Sequence, residues 1–322
     1  SGTLGILIPP SIMLVIMADL LAISVGTLFV ASVIPGFLLA SLYFFYLFFR
    51  TRFNPKLAPS LPKNIGPSTK KEKALICFVT SGDPDLKTSQ KIINALPKSG
   101  ADIIEIGMPF SDPMADGPTI QRSSLRAIQS GINLKKTFNI VKEFRKKDTS
   151  TPIILMGYFN PIFQFGLTKF FSEGSKNGVD GLIIVDLPPE EDKLINNYTK
   201  KFNIHNIRLL TPTTNKKRIG TISKSSKGFL YYVSIMGITG TKRPSINSVK
   251  MSVGKIKKIT NLPVIVGFGI NNPRQVAQMN SFSDGCVVGS AIVKIIEENL
   301  DTKNKATKIT KKINDFLKKL KK

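Results

Sequence analysis

The chain holds a single histidine, His205, in 322 residues. That excludes a metal centre of clustered histidines and leaves no other histidine for a Ser-His triad. His205 sits in a polar stretch ahead of a β-rich run and reads as a surface residue. Cysteine is nearly as scarce. Cys77 and Cys286 lie in apolar runs, which suit buried, reduced thiols better than a disulfide or a metal pair. Acidic residues are few, 21 against 46 basic ones, giving a formal net charge of +25. Such a balance invites a nucleic-acid reading. The basic residues are spread out, however, with four in residues 1–66 and nine lysines in residues 301–322. They are not interleaved with aromatic residues, as a stacking platform requires. Lysine on solvated helix faces is the better reading.

Charge itself is missing from Gly26 to Phe49. Within that stretch the apolar run Leu28–Phe49 covers 22 residues, and about 20 residues of helix cross a bilayer core. Arg50, Arg52 and Lys56 follow at once, which places the C-terminal side in the cytoplasm. Upstream, Gly2-Thr-Leu-Gly-Ile-Leu-Ile-Pro-Pro-Ser11 leads into an apolar run interrupted by Asp19. Its two prolines fit a broken helix. Residues 1–53 are therefore expected to form a transmembrane helical segment, and residues 54–73, rich in Pro, Lys, Ser and Gly, a linker.

From Ala74 onward, short β-rich runs alternate with amphipathic stretches. The runs are Ala74–Thr80, Asp102–Gly107, Pro152–Gly157, Gly181–Val185, Asn206–Leu210, Gly228–Val233, Pro263–Gly267 and Gly285–Gly289. Helical patterns between them include Leu86–Lys98, Leu134–Lys146 and Pro273–Met279. Alternation of this kind builds a parallel α/β sheet, and eight units in one domain predict a closed (β/α)₈ TIM barrel over residues 74–322. The tail Asp301–Lys322 carries Ile309, Ile313, Phe316, Leu317 and Leu320 at helical spacing, with Lys on the other face. It predicts an amphipathic closing helix.

The chemistry concentrates in fifteen residues, Glu105-Ile-Gly-Met-Pro-Phe-Ser-Asp-Pro-Met-Ala-Asp116-Gly-Pro-Thr119. Glu105 stands near the end of the second run, and Asp116 follows eleven residues later in a loop of Pro and Gly. Strand ends and the loops after them are where such a barrel places its active site. Two carboxylates in unlike surroundings can hold different pKa values and take different roles. Glu105 alternates with Ile103 along its strand. Pointing inward, it would lie at the mouth of an apolar barrel, where desolvation raises a carboxyl pKa; pointing outward, it is an ordinary strand-end Glu. Asp116 fits a turn residue bonded to its own backbone equally well. Gly267-Phe268-Gly269 follows the seventh run, and Gly289-Ser290 follows the eighth and opens a helix. These are the usual phosphate-binding loops of the fold. Gly237-Ile-Thr-Gly-Thr241 follows the sixth and suits a lid over substrate.

The fifteen-residue block closely resembles the signature of the tryptophan synthase α subunit. Further blocks match in order: Phe78-Val-Thr-Ser-Gly-Asp-Pro84, Met156-Gly-Tyr-Phe-Asn-Pro161, Asp186-Leu-Pro-Pro-Glu-Glu191, Gly237–Thr241, Gly267-Phe-Gly-Ile270 and Gly289-Ser-Ala-Ile-Val293. The resemblance implies retro-aldol cleavage of indole-3-glycerol phosphate to indole and glyceraldehyde 3-phosphate, in tryptophan biosynthesis. It implies Glu105 as the acid/base that protonates the indole carbon whose bond breaks, and Asp116 as acceptor of the indole N–H. Phe78 and Tyr231 would line the indole pocket, with Tyr158 and Asp186 in support. Thr239 would order Asp116 on closure. Gly240, Phe268, Gly269, Gly289 and Ser290 would hold the phosphate. Pro109 and Asp112 would face a β subunit, which carries pyridoxal phosphate and receives the indole within an α2β2 assembly. No metal and no cofactor is implied on this chain, and the barrel would be cytoplasmic.

Two features depart from that family. Residues 1–60 resemble the C-terminal end of the large membrane subunit of a TRAP-type (tripartite ATP-independent periplasmic) transporter, through Gly2–Ser11, Val33-Ile-Pro-Gly36 and Arg50-Thr-Arg-Phe-Asn-Pro-Lys-Leu-Ala-Pro59. They read as a tail fused to an enzyme that could anchor it to a membrane. Linker sequence also stands where the family has a short helix covering the base of the barrel, so an open base and reduced stability are expected. The competing readings are a non-catalytic fusion or transporter fragment carrying an inactive barrel, and a different phosphate-binding barrel.

Overall fold

The structure is a computed structural model that describes residues 24–53, 73–234 and 245–321. The chain divides between Lys70 and Lys71 into two units. In the first, Val25–Phe53 forms one helix, α1, which runs through Pro35. Val30, Ile34, Phe37 and Leu42 on it are exposed. Among the described residues no helix is long and apolar enough to cross a membrane, and several side chains of α1 lie outside the described set.

The second unit is a parallel barrel. Its strands are β1 (Ala74–Thr80), β2 (Ile103–Gly107), β3 (Ile153–Gly157), β4 (Gly181–Ile184), β5 (His205–Asn206), β6 (Arg208–Leu210), β7 (Leu230–Val233), β8 (Val264–Gly267) and β9 (Gly285–Val288). The order is β5-β4-β3-β2-β1-β9-β8-β7-β6. The fifth predicted run is broken at Ile207, whose N–H bonds to Leu182 O at 3.0 Å, so β5 pairs with β4 and β6 with β7. The nine strands thus make eight staves. The helices after α1 are α2 (Leu86–Ser99), α3 (Pro118–Gln129), α4 (Leu134–Arg145), α5 (Phe159–Phe165), α6 (Leu167–Asn177), α7 (Asn196–Lys201), α8 (Lys216–Ser225), α9 (Ile246–Lys257), α10 (Pro273–Asn280), α11 (Ser290–Glu297) and α12 (Lys305–Leu320).

Alternation along the strands sorts their side chains into two apolar layers. Ile76, Phe78, Ile154, Ile183, Ile207, Ile265 and Val287 fill the barrel. Cys77, Ile104, Ile106, Leu155, Leu182, Val266 and Cys286 face the helices. Both cysteines are buried free thiols. On α12, Ile309, Ile313, Leu317 and Leu320 are buried in the outer layer, and the helix packs against α2. It closes the ring as the sequence predicts.

Asx and Ser caps set five of the helix starts. Asp85 Oδ1 accepts from Thr88 N at 2.8 Å, and Asn133, Asn215, Ser245 and Asn272 act likewise for α4, α8, α9 and α10. α3 and α11, next to the candidate site, are not capped in this way. α3 starts from Gly117 and α11 from Gly289, and neither has a side chain over its first N–H groups. Those donors are left for something else.

The N-terminal end is built for stability. Asp102, Asp180 and Asp284 stand just ahead of strands, and each accepts an N–H at the start of a neighbouring strand: Leu75 at 2.8 Å, Ile153 at 2.7 Å and Val264 at 2.9 Å. Each also meets a cation, Lys321, Arg145 and Lys257 respectively. Between them lies an apolar cavity of about 600 Å³, bordered by Ala74, Ile103, Ile154, Ile207 and Phe229. The segment expected to leave this base uncovered, residues 54–72, lies outside the described residues.

Candidate active site

Glu105 lies in β2 with Phe78 of β1 on one side and Ile154 of β3 on the other, both of which face the barrel interior. Ile104 and Ile106 point to the helices. Parity along the strand therefore turns Glu105 inward, which decides between the two orientations its alternation with Ile103 leaves open. It is 1% exposed, and its Oε2 has no hydrogen-bond partner among the described residues. Burial pushes its carboxyl up to about 8, with the nearby Asp116 charge adding to the shift. At neutral pH Glu105 holds its proton.

Asp116 is only partly buried. Its Oδ2 accepts from the Tyr158 hydroxyl at 3.1 Å, and the same hydroxyl accepts from Ala115 N at 3.0 Å. Gln121, in the first turn of α3, donates to Asp116 O at 2.9 Å. Burial raises the Asp116 carboxyl while the Tyr158 hydrogen bond lowers it, and the first effect wins. The turn reading fails, because the carboxylate is held by Tyr158, which stands just past β3 and far from it in sequence. Tyr158 is itself raised by burial and then by the Asp116 charge. Tyr231 is raised by burial, then by Glu105 and Asp116, which places it in the same field.

Three strand-end glycines make room for the side chains of this mouth. A Cβ on Gly107 would stand 2.6 Å from Phe78 Cζ, one on Gly157 2.7 Å from Met108 Cε, and one on Gly267 2.8 Å from Tyr231 Cε1. Phe78, Met108, Asp116, Ile120, Met156, Tyr158 and Val185 line the small cavity that results. Larger cavities lie elsewhere, at the base and between α8 and α9. The chemistry decides the choice: the mouth has the two inward carboxylates.

The remaining predicted residues fall as follows. Asp186 is exposed, and its Oδ1 accepts Phe159 N at 2.7 Å. Gly269 takes φ +65°, a left-handed value that suits glycine. Gly289 and Ser290 open α11. Phe268 is buried in the outer layer, so only its backbone is left for the mouth. Pro109 and Asp112 lie in the partly exposed loop after β2, next to Met114, which is 77% exposed. Thr239 and Gly240, with the expected lid, lie outside the described residues. Sequence reasoning missed Met108, Met156 and Val185 as lining. It also missed the buried pair Asp83–Arg126, whose guanidinium reaches Glu297 of α11 as well. Strand parity signals Met156 and Val185, which belong to the interior layer, but not Met108, which it points outward.

The profile of the tryptophan synthase alpha chain matches residues 67–322. The chain belongs to that family. Its structure is similar to tryptophan synthase subunit alpha from Legionella pneumophila str. Paris, at 39% identity and TM-score 0.71, over 78% of this chain and 92% of that one. It is similar to a chain of the tryptophan synthase complex from Pyrococcus furiosus at 36% identity and TM-score 0.69, over 77% and 97%. A chain of Mycobacterium tuberculosis tryptophan synthase matches at 31% identity and TM-score 0.70, over 78% and 91%. Residues 1–80 match the DctM component of tripartite ATP-independent periplasmic transporters. The chain is accordingly a lyase that cleaves indole-3-glycerol phosphate to indole and glyceraldehyde 3-phosphate. Like its family it carries no cofactor of its own, pyridoxal phosphate belonging to the β subunit.

Proposed function

We propose that Glu105 and Asp116 divide the cleavage between them. The observation that carries this reading is the buried Glu105, its Oε2 without a partner among the described residues, with Asp116 held by Tyr158. Glu105 gives its proton to the indole carbon that bears the side chain. The positive charge then resides at the ring nitrogen, whose N–H donates to Asp116. The carbon–carbon bond breaks, its electron pair restores the aromatic ring, and the side-chain hydroxyl gives up its proton as the aldehyde forms. Glu105, now a carboxylate, accepts that proton and is reset. General acid/base groups of this kind supply about 10²–10⁴-fold each.

Phe78 and Tyr231 sandwich the ring, and Asp186 supports Tyr158 through Phe159 N. The open starts of α11 and the Gly269 turn take the phosphate, with Gly240 and the backbone of Phe268. Thr239 closes over Asp116. Pro109 and Asp112 face a β subunit, a reading favoured by the α2β2 complexes among the similar structures. The test is indole release by the full chain with a β subunit present, against its Glu105→Gln form. Turnover in both would remove Glu105 from the mechanism.

Residues 1–53 are a second part, joined through 54–73 to the barrel at 74–322. The charge-free run and the transporter match support a membrane-crossing tail with the barrel on the cytoplasmic side. Full chain that stays with the membrane pellet after an alkaline carbonate wash is the expected result. Recovery in the wash would exclude the anchor.

A further inference from the structure

Arg208 is 4% exposed, yet it sits on the outer face of β6, where its neighbour at the same parity is the apolar Leu210. A cation there is costly unless its donors are used. Nη1 donates to Leu187 O at 2.5 Å, and the guanidinium pairs with the buried carboxylate of Asp192. With the Asn206 amide turned so that its oxygen faces the guanidinium, Nε and Nη2 donate to it at 3.2 and 3.1 Å. Leu187 precedes the 3₁₀ helix Pro189–Leu194 in the turn that follows β4, and Asp192 lies within that helix. One side chain therefore ties the entry to the helix and its middle to β6.

The turn leads to the mouth by short steps. Leu187 follows Asp186, whose carboxylate accepts Phe159 N at 2.7 Å. Phe159 follows Tyr158, whose hydroxyl donates to Asp116 at 3.1 Å. We propose that Arg208 is a positioning residue for Asp116, acting through Leu187, Asp186 and Tyr158 without touching substrate. This rests on the role of Asp116 given above. A purely structural role does not need the charge, since a buried ion pair can often be replaced by apolar residues of similar volume at no cost in stability. What apolar residues cannot do is hold the Leu187 carbonyl.

The experiment measures single-turnover indole release and KM for indole-3-glycerol phosphate with the full chain and a β subunit. It compares wild type, Arg208→Lys, Asp186→Ala and the double variant. Lysine keeps the charge but is a point donor that cannot serve Leu187, Asp192 and Asn206 together. The expected result for Arg208→Lys is a roughly tenfold slower turnover with KM within about twofold, because the phosphate loops lie on other staves. In the Asp186→Ala background the same change should cost less than about twofold, because the two act in series. Unchanged turnover in folded Arg208→Lys, or equal losses in both backgrounds, overturns the proposal. Should Arg208→Lys fail to fold, Asp192→Asn read in the same cycle decides it by the same criteria. An active wild type, a dead Glu105→Gln and an unaffected Arg208→Lys would sink the positioning role alone. An inactive wild type would sink the site reading itself.

Discussion

The two ends of the barrel use the same chemical group in opposite company. At the N-terminal end, Asp102, Asp180 and Asp284 each take a backbone N–H and a Lys or Arg. At the C-terminal mouth, Glu105 and Asp116 form no ion pair among the described residues, and Glu105 is deeply buried. Burial also pushes the Asp284 carboxyl up, but Lys257 and the Val264 N–H outweigh it and leave it below its usual range. Nothing offsets burial at Glu105, which rises to about 8. The difference teaches that one end spends its carboxylates on holding strands in register. The other keeps them costly and available for proton transfer.

The comparison is sharpest in turnover. Glu105→Gln should lower indole release by about 10³-fold or more with the fold intact, as judged by circular dichroism. Asp116→Asn retains an acceptor oxygen but no charge, and should cost about 10²-fold. Asp284→Asn is the converse: turnover within about twofold of wild type, but stability lower by about 1–2 kcal/mol, or roughly 2–8 °C in melting midpoint. If it abolished turnover instead, the division between the ends would be wrong.

The smallest effect concerns pH, and the two ends differ in sign. The folded-state pKa of Asp284 is lowered, so its contribution is present above the unfolded value near 4 and is lost as pH falls through the folded one. Glu105 is raised from 4.5 to about 8, so the unfolded chain releases the proton first as pH rises. Wild type therefore loses stability progressively between those values and levels off above pH 8. Glu105→Gln has no such loss. Its melting midpoint should exceed that of wild type by more at pH 8.5 than at pH 5.5. A difference independent of pH would mean that Glu105 is not protonated in the folded barrel.

Much of this was legible in the sequence. The eight runs show as short aliphatic segments, and Glu105 shares a face with Ile103, but which way that face points needed the neighbouring strands. What could not be read are features that depend on the partner strand. The break at Ile207 arises because one stave pairs with β4 at its start and β7 at its end. Asp102, Asp180 and Asp284 stand at or just ahead of predicted runs, but nothing in the sequence shows which neighbouring N–H each accepts. Arg208 carries no signal of burial in the sequence, because its partners Leu187 and Asp192 are distant along the chain. Phe268 stands in a phosphate-loop pattern, yet its ring faces the helices, since strand-end parity continues through Gly267.

The pairing of β1 with β9 joins Ala74 to Gly285, 211 residues apart. A ribosome adding about 5–20 residues per second takes roughly 10–40 s to make that length. Throughout that interval the first strand has its second neighbour still unwritten, and Leu75 and Cys77 have no completed wall beside them. α12 follows β9 and packs on α2, so the outer layer waits on the same stretch of chain. Until β9 is made, the sheet keeps two free edges, an open form that chaperones and proteases can engage.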